Sequence, residues 1–283
     1  MTSAIDSPAR IERPLRDLAA WLAHFRAAPI PVLDSTVDAL QELGANEDAV
    51  DAHLLAETVA TDPLMTLKLL AHVGSNNRRE TDVETVVGAL VLMGIGPFFR
   101  LFAQLTPLSL VLEEAPDREE VSASLQAVLA RSHRAARFAI AFAAHRMDPD
   151  AAVIHEAALL HSFAELLLWC HAPALALDIS RRQRADATLR TAAVQQDALG
   201  ITLTELQQAL MKSWRLPELL IRLGDAHHAQ NPQVKNVMLA VRLARHTANG
   251  WDNAALPDDV AEIAELLQLS AVPTQKLLHE IDS

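Results

Sequence analysis

Tyrosine is absent from this chain, aromatic residues make up only 4% of it, and 283 residues include just 8 glycines. An interior with few large rings must be filled by Ala, Leu and Val, and Ala and Leu lose little side-chain entropy in a helix. So few glycines cannot supply the tight hairpin turns of a β protein. Both shortages predict an all-α fold. Cys170 is the only cysteine, which excludes an intramolecular disulfide and a cysteine-only metal cluster, and fits a reducing compartment. It lies in the run Leu166-Leu167-Leu168-Trp169-Cys170 and reads as a small buried hydrophobe. The most apolar region, Ala157 to Leu177, is interrupted by His161, Glu165 and His171, short of the ~20 uninterrupted apolar residues of a membrane span. Residues Met1 to Pro14 are polar and contain no apolar signal core, so the expected location is the cytoplasm. Positive charge is also scarce. A formal net charge of −12 disfavours broad contact with nucleic acid or an anionic membrane. The one basic run, Arg181-Arg182-Gln183-Arg184, has no aromatic neighbours for base stacking and reads as a solvated helix end.

What the chain does have is hydrophobic material, 51% of its residues, enough for one large core or two packed ones. Helix signals recur throughout. Arg16 to Phe25 is amphipathic and closes at Pro29-Ile30-Pro31, Thr36 to Leu43 ends at Gly44, a candidate C-cap, and Ala52 to Ala60 follows. Asp62-Pro63 is a strong start signal, because the carboxylate accepts from free first-turn amides and proline loses nothing at the first helical position. Thr81-Asp82-Val83-Glu84 reads as a capping box, followed by an apolar stripe of Val83, Val86, Val87, Leu90 and Val91. Gly94 to Pro97 breaks that helix. Arg118 to His145 is a long helix with Val121, Leu125, Val128 and Ser132 inward, and Asp148-Pro149 repeats the cap-plus-proline device. A second capping box, Thr202 to Glu205, opens a helix that ends at Trp214-Arg215-Leu216-Pro217. Further helices are expected around Glu218 to His228, Val234 to Asn249, Asp258 to Leu269 and Pro273 to Ile281. The organisation expected is a flexible N-terminus (1–15), an N-terminal helical half (16–114), a second helical half (115–252) and C-terminal helices packing on the core (253–283). Ile263, Leu266, Leu267, Leu277 and Leu278 on those last helices would suit that packing or a homodimer contact.

Four of the 12 histidines fall in a suggestive order: His133 mid-helix, His161 after Ala158-Leu159-Leu160, and the pair His227-His228. Imidazoles on separate helices can converge in a bundle core and hold a metal. The second half resembles the HD superfamily of metal-dependent phosphohydrolases, whose motif runs His, then His-Asp, then a closing Asp. That resemblance implies a dinuclear site in which the paired Asp bridges the metals. Here the pair reads His161-Ser162, and the closing acid should fall near Leu243-Ala244-Arg245, where none stands. Such sites work by lowering the pKa of a metal-bound water, and neutral imidazoles compensate poorly for the charge of two divalent ions. No metal, no cofactor and no catalytic residue are therefore expected. Replacement carboxylates for a divergent phosphohydrolase acting on a nucleotide or cyclic dinucleotide would have to be Glu156 or Glu165.

The whole chain, from about Trp21 to Trp251, more closely resembles the HDOD (HD-related output domain) branch of that superfamily. The segments carrying the resemblance are Ala28-Pro29-Ile30-Pro31-Val32, Asp62-Pro63, Val73-Gly74-Ser75, Ala89 to Gly94, Leu159-Leu160-His161-Ser162-Phe163, Trp214 to Pro217 and His227-His228. Two departures stand out. Gly200-Ile201-Thr202-Leu203 lacks the family's histidine, and Ala164 replaces a usual glycine. The resemblance implies an HD-like helical bundle with an N-terminal helical subdomain. It also implies a non-catalytic bacterial signalling module that acts through protein partners or a small effector. His133, His161, Ser162, His227 and His228 would line a relic pocket, while Asp62, Pro63, Trp214 and Pro217 hold the architecture.

Overall fold

The computed structural model describes residues 10–76, 83–186 and 188–283. These residues form helices α1 (Leu18–Ala27), α2 (Asp34–Gly44), α3 (Ala52–Ala60), α4 (Pro63–Asn76), α5 (Val86–Met93), α6 (Ile95–Leu101), α7 (Leu108–Leu112), α8 (Arg118–His145) and α9 (Ala151–Leu159). After these come α10 (Phe163–His171), α11 (Pro173–Ala185), α12 (Thr191–Leu199), α13 (Leu203–Ser213), α14 (Glu218–Leu223), α15 (Pro232–His246), α16 (Leu256–Leu267) and α17 (Ala271–Asp282). The fold is all-α. Among the described residues the β structure is a single parallel bridge between Val32 and Pro107.

One end of the molecule is built on α8, the longest helix, which packs against α9 and α15, with α16 and α17 laid over them. The stripe Val121, Leu125, Val128 and Ser132 is buried, as its spacing predicts. At the other end α3, α4 and α5 pack on one another, and α10 touches both α4 and α8. The first helix lies against α13, and the buried Trp21 Nε1 donates to the carbonyl of Leu199 at the end of α12, 3.1 Å away. The apolar core is continuous from Ile11 to Leu278. Arg10 and Ile11 are bonded to it: the Ile11 amide donates to the His171 carbonyl at 2.9 Å, and Arg10 donates to Val111 at 2.7 Å. The C-terminal helices use Ile263, Leu266, Leu267 and Leu278 to pack on the same core. Arg134 clamps Asp282 with two hydrogen bonds, at 2.8 and 2.6 Å.

Asp62 is the centre of a local scaffold. It is fully buried and accepts from the amides of Leu64 and Met65, at 2.8 and 3.2 Å, and from Leu33 at 2.7 Å. Burial pushes its carboxyl upward, opposed by these bonds and one from Thr36. Lys68 donates to the Ile30 carbonyl at 2.7 Å, and the His171 imidazole donates to Pro29 at 3.1 Å. The proline-rich segment is thus strapped down residue by residue, which explains why its motif and the Asp-Pro motif occur together.

Gly74 and Trp214 make a second such pairing. A Cβ on Gly74 would lie 2.5 Å from the Trp214 carbonyl oxygen and closer still to that of Arg215. Only hydrogen fits there. Arg215 itself adopts a positive φ of 53°, turning the chain from α13 toward Pro217, and Trp214 packs on Phe163 with ring centroids 6.0 Å apart.

Several expectations are corrected. The capping box expected at Thr81 has its first two residues outside the described residues, and the helix begins later, with Thr85 as cap accepting from Gly88. Val91, expected on the inner stripe, is 67% exposed. Gly44 stays inside its helix and makes room for the Phe99 ring, 3.2 Å from an added Cβ. The cap after Asp148-Pro149 is Asp150. One stretch among the described residues, 151–171, is long and apolar enough to cross a membrane, but 67% of its most apolar window is buried, and it is split into α9 and α10 at Leu160 to Ser162.

Candidate functional site

That split positions the most informative residues. His161 and Ser162 occupy the turn between α9 and α10, facing a cleft of about 570 Å³ walled by α8, α12, α13 and α15. Arg131 comes from α8, Glu165 from α10, Gln207 and Gln208 from α13 and Arg245 from α15. Arg131 donates to Glu165 at 2.7 Å. Leu203, where the family's histidine is missing, is also in the wall.

The electrostatics are set by the two guanidinium groups. Burial, and then Arg245 and Arg131, push the His161 imidazole down to about 4, so it is neutral near pH 7. Desolvation and the like charge of Arg131 lower the Arg245 pKa, opposed by Glu165.

The other expected pocket residues do not line this cleft. His133 donates through Nε2 to the Thr61 carbonyl at the end of α3, 2.8 Å away. The reason is helical geometry: residues two apart point to nearly opposite sides, so with Arg131 in the cleft His133 faces away. His227 and His228 lie on an exposed 3-10 turn, where Asp225 holds their Nδ1 atoms at 2.8 and 3.4 Å. The structure brings together His161 and Ser162 and leaves the other three histidines elsewhere.

Neither candidate replacement acid is free. Glu156 points away from the cleft, accepting from the Val86 amide at 2.8 Å and so bracing the start of α5. Burial pushes its carboxyl up to about 8. Glu165 is committed to Arg131. A divalent-metal centre needs several anionic or neutral donors around one point and no cation among them. Here one imidazole and one neutralised carboxylate share the cleft with two guanidinium groups, and among the described residues no group of three or more His, Cys, Asp or Glu is placed to hold a metal ion. The residues present do not fit the HD metal pair. Arg131, Gln207 and Gln208 were not anticipated as cleft residues from the sequence.

The basic run is also accounted for. Arg181 pairs with Asp117 at 2.6 Å and with Glu120, Arg184 pairs with Glu120, and Arg182 bridges Asp178 and Asp197 at 2.8 and 2.5 Å. Its charge is spent within the protein.

The chain is thus an all-helical bundle whose histidine-bearing turn opens into a polar cleft. The HDOD domain model matches residues 30–230. The chain belongs to the HDOD domain family. Among solved structures it is similar to the MmoQ response regulator from Methylococcus capsulatus str. Bath, at 23% identity over 88% of this chain and 98% of that one, with a TM-score of 0.64. It is also similar to a virulence factor from Campylobacter jejuni subsp. jejuni, at 18% identity over 94% of this chain and 97% of that one, with a TM-score of 0.61. Comparison with curated proteins finds no match.

Proposed function

We propose that this protein is a non-catalytic regulatory module of bacterial signal transduction, acting in the cytoplasm by binding a protein partner or a small effector. The observation that carries the reading is the pair of guanidinium groups, Arg131 and Arg245, in the cleft of His161-Ser162. Where a phosphohydrolase concentrates negative charge to hold divalent ions, this cleft carries positive charge, and a cation there would meet repulsion instead of ligands. Family membership supports a signalling role, as does the name of the similar response regulator. Effector binding would act by favouring one packing of the helices around the cleft over another.

The competing reading, a divergent phosphohydrolase, needs acids that Glu156 and Glu165 do not supply, for the hydrogen-bonding reasons given above. Elemental analysis of the purified protein beside a phosphodiesterase assay with added Mn²⁺ separates the two. The expected result is well below one metal per chain and no turnover. Near-stoichiometric Fe, Mn or Zn with turnover lost in His161→Ala would establish the enzyme instead. Nucleic acid and membrane are not proposed as partners. The homodimer stays a proposal that light scattering decides, a concentration-independent monomer mass removing it.

A further inference from the structure

The charge of the cleft runs against the charge of the chain. The molecule as a whole carries a formal −12, yet the permanently charged groups lining this cleft are Arg131, Arg245 and Glu165. Arg131 and Glu165 satisfy each other at 2.7 Å, which leaves Arg245 as the uncompensated charge. Its side chain makes no ion pair or hydrogen bond among the described residues, and the nearest acid acting on it, Glu165, is already held by Arg131. Arg245 is exposed to solvent, and an anion placed between the two arginines would relieve the repulsion between them.

We propose that this cleft binds a small molecule bearing one phosphate or carboxylate group, the anion seated on Arg245 with Arg131 beside it. This rests on the reading of the chain as a binding module and names the chemical class of its effector. A guanidinium is planar, always charged and weakly hydrated, and it grips a two-oxygen anion through parallel N–H donors. The rest of the lining suits a polar body. Gln208 spends its amide N–H on the Gly224 carbonyl at 3.1 Å, which leaves its oxygen as an acceptor, and Ser162 and Thr204 add hydroxyls to the wall. A volume of about 570 Å³ lies within the range of small-ligand pockets, and is too small for a folded partner.

The test is calorimetric titration of the full chain in low-salt buffer free of phosphate and carboxylate. The probes are inorganic phosphate, ribose 5-phosphate and glutarate. The variants are Arg245→Gln, Arg245→Lys and Arg26→Gln, the last removing the same charge from an exposed position on α1 that does not line the cleft. The expected result is saturable binding of at least one probe, an affinity about tenfold or more lower in Arg245→Gln, partial retention in Arg245→Lys and no change in Arg26→Gln. Ribose 5-phosphate binding without glutarate assigns the phosphate class, and the reverse assigns the carboxylate class. Two results overturn the proposal: no probe binding up to about 10 mM, or equal affinities in Arg245→Gln and Arg26→Gln, which means diffuse attraction only. Neither disturbs the metal and turnover measurements on which the regulatory reading stands. Metal-dependent turnover, in contrast, would remove that reading even if an anion bound.

Discussion

Glu156 and His161 are five residues apart, and their environments push their protons in opposite directions. Between its ordinary value of 4.5 and about 8, the folded protein keeps a proton on Glu156 that the unfolded chain has released. Stability therefore falls as pH rises through that window, by on the order of a few kcal/mol in total. The buried His171 imidazole, pushed down to about 4 by burial and by His24, acts the other way. Unfolding lets it bind a proton between about 4 and 6.5, so its share of stability is lost as pH falls. His161, pushed down to about 4 in the same way, adds to it, and the two imidazoles together outweigh Glu156 below pH 6.5, so these three groups place their combined maximum near pH 6.5. Glu156→Gln keeps an acceptor for the Val86 amide and has no proton to lose. We expect the melting temperature of the wild type to drop between pH 6.5 and 8 and that of Glu156→Gln to stay level. A parallel drop in both would show that another group sets the slope. The residues of the cleft were half legible in the sequence. His161, Ser162 and Arg245 could be read from a motif and its gaps, whereas Gln207 and Gln208 carry no motif and enter through the way α13 lies across the turn. His133 was misplaced because spacing fixes which residues of α8 share a side but not which side meets the turn at His161.

Helix boundaries were legible where the chemistry is local. Asp62-Pro63 and the Thr202 to Glu205 capping box act within one turn, and both start the helices they predict. The box at Thr81 misled because Thr85, four residues on, offers the same hydroxyl and is the residue that caps the helix. What was not legible is contact between elements remote in sequence, and Gly74 against the turn after α13 is the sharpest case. Gly74→Ala must push carbonyl oxygens that have no room to retreat, and we expect a loss of about 2–3 kcal/mol. Gly224→Ala, where an added Cβ finds its nearest atoms at 3.7 Å, should change stability by no more than about 0.5 kcal/mol. Urea denaturation compares the two, and equal midpoints would refute the contact.

At the scale of the whole molecule the sequence suggests two halves, while the packing joins them. Trp21 from the start of the chain is anchored on α12, α10 touches helices at both ends, and Glu156 of α9 braces α5. A continuous core predicts a single cooperative transition. Tryptophan fluorescence and far-ultraviolet circular dichroism should give superimposable urea curves. Two separated transitions would mean that the halves fold independently after all.

The bare crossing at Gly74 also limits how the molecule can respond to a signal. Side chains at a contact act like springs, changing rotamer to absorb small displacements, and here there is none to flex. A push on the turn at Trp214 is passed directly into the α4 backbone, so this joint behaves as a rigid lever instead of a cushion. A displacement of that turn would be met by α4 as backbone against backbone.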